Sequence, residues 1–92
     1  MKLHRYWIGF SDRQLAHHEG LGYGVGVTAF SLDDAVRVLG QQVFKESPVP
    51  SIERIIEDVD VSSLDPNHVL PNIAPPVFYG VWYPSAFMKW DR

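Results

Sequence analysis

A 92-residue chain with 46% hydrophobic and 21% charged positions is built like one ordinary globular domain, 1–92, holding a single modest core. Its net charge of -3 and lack of a basic stripe speak against a nucleic-acid partner, and the absence of cysteine removes disulfides, thiol nucleophiles and thiolate metal sites together. No apolar run reaches membrane-span length and the opening MKLHRYWIGF lacks the apolar core of a signal peptide, so the expectation is a cytoplasmic protein without membrane contact.

Leu3 to Phe10 is rich in aromatic and β-favouring residues and reads as a first strand, with Leu3, Arg5, Trp7 and Gly9 on one face and His4, Tyr6, Ile8 and Phe10 on the other. Ser11 to Glu19 is a polar connection. From Gly20, glycine takes every second position through Gly26 while Leu21, Tyr23, Val25 and Val27 fill the alternate ones. That pattern predicts a second strand with one apolar face and one nearly bare, against which an aromatic ring or the domain's own helix packs; a ligand or partner backbone is the other occupant.

Ser31 followed by Asp34 resembles a capping box with Asp in place of Glu, and Asp33 and Asp34 suit the positive end of a helix dipole. Leu32, Ala35, Val36, Leu39 and Val43 recur at helical spacing, which predicts a helix over Leu32 to Lys45 with Asp34, Arg37 and Gln41 facing water. Pro48 and Pro50 then enforce an extended connection. Ile52, Ile55, Ile56 and Val59 fit helical spacing, but the β-branched run favours a strand over Ile55 to Val61.

Ser62 to Val69 reads as a turn or one short helical turn, and four prolines between Pro66 and Pro76 give a stiff loop. Val77 to Tyr83 is a last strand, closed by Pro84, and the tail from Ser85 carries Phe87, Met88 and Trp90. These elements make an α+β domain, a mixed or antiparallel four-stranded sheet with one helix on one face, in the order ββαββ. One helix cannot cover both faces, so the second is exposed or hidden by the loop, the tail or another subunit.

Gly24, Gly26 and Ala29 satisfy G-x-G-x-x-A, but they lie inside the strand and the helix opens only after Ser31, which argues against a dinucleotide site. His17, His18 and Glu19 with His4 and Asp12 offer metal ligands, yet the adjacent histidines point apart in an extended chain and a solvated loop is the simpler reading. Asp58, Asp60 and Ser62 begin like a calcium loop that fails at Ser63 and Val69; the acids read better as an exposed strand face. Asp65 with His68 makes a polarised pair that Ser62 or Ser63 could turn into a hydrolase site, but no nucleophile elbow or oxyanion hole accompanies it, and local hydrogen bonding that fixes the loop is the simpler reading. No cofactor is implied.

The string DVDVSSLDPNHVLPN from Asp58 to Asn72, with GVWYP and GYGVGVTAFSLDDAVRVL, resembles a family of short bacterial proteins of uncharacterised function, and the likeness covers most of the chain. It implies one compact domain and no activity. The leading expectation is a module that binds another protein, or itself, through the sheet face or edge and the Pro66 to Pro76 loop. An immunity or toxin-neutralising role is one version. Tyr79, Trp82 and Trp90 are its candidate anchors, with core placement equally open for Trp82, and Asp58, Asp60 and Asp65 its acidic rim. A small-molecule binder or hydrolase using His68 and Asp65, and a structural homodimer, are the alternatives.

Overall fold

A computed structural model describes residues 2–11, 23–45 and 48–85. The chain runs through β1 (His4–Phe10), β2 (Val25–Ala29), α1 (Leu32–Gln42), β3 (Ile52–Glu57), two 3-10 turns (Val61–Ser63 and Leu70–Asn72) and β4 (Gly80–Tyr83). The four strands form one antiparallel sheet, so the domain is α+β. Their spatial order is β3-β1-β2-β4, which is not their order along the chain.

The alternation in β1 sorts its side chains as the sequence predicts. Tyr6, Ile8 and Phe10 join Val25, Val27, Ala29 and Val81 beneath Ala35, Val38, Leu39, Val43 and Phe44 of the helical layer. Trp7 points the other way and meets Trp82, Tyr83, Val59, Val69 and Ala74. The second face is thus covered by the segment from Val59 to Ala74, which carries two 3-10 turns. Thr28 Oγ1 donates to the Pro76 carbonyl and the Ala74 N–H donates to the Trp82 carbonyl at 2.8 Å, tying this cover to β2 and β4.

The glycines within and just before β2 leave room for rings. A Cβ on Gly26 would lie 2.5 Å from Cη2 of Trp82, and one on Gly24, whose φ is +116°, would lie 2.9 Å from Cε2 of Trp7. Of the occupants predicted for the bare face (an aromatic ring, the domain's own helix, a ligand or a partner backbone), the aromatic ring is the one found at both positions.

Several predicted boundaries move. β2 starts at Val25, and Gly20 to Gly22 lie outside the described residues. The helix ends at Gln42, capped by Val43, and its buried side holds Val38 while Leu32 stands exposed. The strand expected over Ile55 to Val61 occupies Ile52–Glu57, because Asp58 adopts a left-handed φ of 54° that leaves the ladder. β4 begins at Gly80, φ +122°, so Val77, Phe78 and Tyr79 form a turn ahead of the strand.

Candidate functional site

Five of the seven exposed large hydrophobic residues among the described ones lie near the start of α1 or in the turn before β4. Phe30 and Leu32 flank the helix cap, and Val77, Phe78 and Tyr79 precede β4; Phe78 is 53% and Val77 63% exposed. The Phe30 and Tyr79 rings lie 5.5 Å apart, tilted by 37°. Large apolar groups gathered on a surface are the usual mark of an interaction site.

A polar clamp holds the corner in place. Ser31 accepts the Asp34 N–H at 3.1 Å as the helix cap. The return contact runs from the Phe30 N–H to Asp34 Oδ2 at 3.1 Å, one residue earlier than in a standard capping box. Asp34 Oδ1 accepts the Tyr79 hydroxyl at 2.8 Å and Nη2 of Arg37 at 2.5 Å, while Arg37 also donates to the Tyr79 oxygen at 3.0 Å. The Phe30 N–H, then Tyr79 and Arg37, hold the Asp34 carboxyl below its ordinary value. Burial first, and the bond to Asp34 second, push the Tyr79 phenol up, and the same carboxylate raises Arg37. A half-buried hydrogen bond, Val81 N–H to Gln42 Oε1 at 3.2 Å, connects the far end of the helix to β4.

The residues singled out in the sequence separate. Tyr79 belongs to the exposed corner, whereas Trp82 is fully buried and cannot serve as a surface anchor; its Nε1 finds no acceptor among the described residues. Trp90 and the tail, like His17, His18, Asp12 and Glu19, lie outside the described residues. The acids do not line a strand face. Asp60 caps the first 3-10 turn, accepting the Ser62 N–H at 3.1 Å and the Ser62 hydroxyl at 2.7 Å. Asp65 accepts the N–H groups of Asn67 and His68 at 2.8 and 3.0 Å, which, ahead of its contact with the His68 ring, lower its carboxyl pKa. Asp58 and Glu57 turn towards His4, with Nδ1 of His4 at 2.9 Å from Asp58 Oδ1 and 3.8 Å from Glu57 Oε2.

His68 and Asp65 do meet, at 3.4 Å, but on an exposed surface where the His68 ring stacks on Tyr23 at 4.9 Å. The hydroxyls proposed as nucleophiles are spent elsewhere, Ser62 on the Asp60 carboxylate and Ser63 on the Asp60 carbonyl at 2.6 Å. No geometry for nucleophile activation is assembled among these residues.

Sequence reasoning missed Phe30, Leu32, Val77 and Phe78. The available signal was Phe78-Tyr79 beside a glycine: a strand alternating in and out would not need Gly80 at a left-handed φ, and a turn would. No protein-family model, curated protein or solved structure matches the chain.

Proposed function

We propose that the protein is a small binding module that grips another protein through the corner formed by Phe30, Leu32, Val77, Phe78 and Tyr79. The observation that carries this reading is that five large apolar side chains stand exposed on one corner whose Tyr79 is pinned by Asp34 and Arg37. A pre-ordered aromatic surface loses little side-chain entropy when a partner lands on it. The matching partner presents an apolar face, with a basic group to meet the exposed Asp33 beside the helix cap. An immunity or toxin-neutralising role is one concrete version.

This surface replaces the sheet face of the sequence expectation, since α1 lies on one face and the Val59 to Ala74 segment on the other. The string from Asp58 to Asn72 that carries the family resemblance is largely that covering segment. Its Asp60 and Asp65 accept N–H groups of the loop's own backbone, which supports a packing role for these two acids.

A photo-crosslinking residue at position 78 is expected to capture one stoichiometric partner from the native host, and Phe78→Ser or Phe30→Ser, confirmed folded by circular dichroism, is expected to lose it. A partner retained by both folded variants would defeat the reading. Sedimentation separates the homodimer alternative: a mass that rises with concentration in the wild type and not in Phe78→Ser would assign the corner to self-association instead.

A further inference from the structure

We infer that His4, Glu57 and Asp58 form a binding site for a divalent transition-metal ion of the Zn²⁺ type. His4 starts β1, Glu57 ends the neighbouring strand β3, and Asp58 follows directly after it. One ligand atom from each, a ring nitrogen of His4 and a carboxylate oxygen of Glu57 and of Asp58, lies within 4.8 Å of the other two.

Adjacent strand residues project to opposite faces, so Glu57 and Asp58 would ordinarily diverge. The left-handed backbone at Asp58 undoes that divergence and brings both carboxylates to one imidazole.

The spacings suit a single ion. Ligands about 2.1 Å from a metal at tetrahedral or octahedral angles sit about 3.0 to 3.5 Å from one another. The two nitrogen–oxygen separations here, 2.9 and 3.8 Å, bracket that range, and the exposed Glu57 side chain is free to close the longer one.

Charge balance points the same way. Two carboxylates share one imidazole, and among the described residues neither ion-pairs with a Lys or Arg. Nδ1 can make one good hydrogen bond, which Asp58 takes, leaving Glu57 without one from it. An ion replacing that hydrogen bond would engage all three groups and both charges, with water completing the shell on the exposed side. The imidazole selects a borderline metal over Mg²⁺ or Ca²⁺, which prefer all-oxygen sites.

Calorimetric titration of the whole protein with Zn²⁺ is expected to show one saturable site of micromolar affinity, with nitrogen-detected NMR changes at the His4 ring. His4→Ala and Asp58→Asn are each expected to weaken binding about tenfold or more. Asn suits position 58 because it tolerates the left-handed backbone, so that variant stays folded. The double variant His17→Ala/His18→Ala is expected to bind as the wild type does. Absence of saturable Zn²⁺ heat, full affinity in His4→Ala, loss of the site in the His17/His18 variant alone, or equal affinity for Ca²⁺ would each overturn the assignment.

Discussion

Gly26 and Trp82 show how one missing side chain decides where a large one goes. With a would-be Cβ 2.5 Å from the ring of a fully buried tryptophan, Gly26 is fixed by steric exclusion. Gly26→Ala forces the ring or the strand to move and is expected to cost about 1 to 3 kcal/mol. Because the clash belongs to the pair, Gly26→Ala/Trp82→Leu is expected to be more stable than the sum of the two single losses predicts. Urea unfolding of the four proteins measures this, and strictly additive losses would rule out the steric account. The glycine period made a ring on the bare face legible in the sequence. Which ring it was depended on the antiparallel pairing of β2 with β4, in which Gly26 lies opposite Tyr83, next to Trp82, and no local pattern carries that.

At the scale of elements, α1 was the most legible because its start signal is local: Ser31 and Asp34 do bond at the cap. Its exposed and buried sides were less so, since Leu32 stands exposed while Val38 is buried. β3 and β4 were placed but misbounded, because each limit is set by a left-handed residue, Asp58 or Gly80. Asp34 links α1 to the β4 turn, and its lowered pKa makes that link sensitive to acid. A carboxyl whose folded pKa is depressed stabilises fully above its unfolded value, and the gain disappears as pH falls through the folded value. Asp34→Asn is therefore expected to melt lower than the wild type at pH 7, with the gap narrowing between about pH 5 and pH 2. Thermal melts across that range read the difference. A gap constant with pH would mean that the charge on Asp34 contributes nothing to the corner.

Across the whole molecule one sheet serves two cores, and the strand between them has no exposed residue: all five positions of β2 are buried. That the second face would be covered was legible from the single helix, and the long proline-bearing loop was among the candidates. The choice of the loop was not, because Val69, Ala74 and Val59 are spaced without a period and reach the sheet only through long-range contacts such as Thr28 to Pro76. Such a cover could be a separate layer that opens by itself or an integral half of one cooperative unit. The shared β2, the Ala74 bond to Trp82 and the close fit of Gly24 and Gly26 to Trp7 and Trp82 favour the single unit. In a Trp90→Phe background the remaining tryptophans, Trp7 and Trp82, report the loop side, while far-ultraviolet circular dichroism reports α1 on the opposite side. The two urea curves are expected to superimpose. Val69→Ala, a truncation of a fully buried cover residue, is expected to shift both by the same amount, about 2 kcal/mol. A tryptophan transition that precedes the helical one, or a Val69→Ala shift confined to it, would show that the loop layer opens independently of the helix and that the two cores are two units sharing a strand.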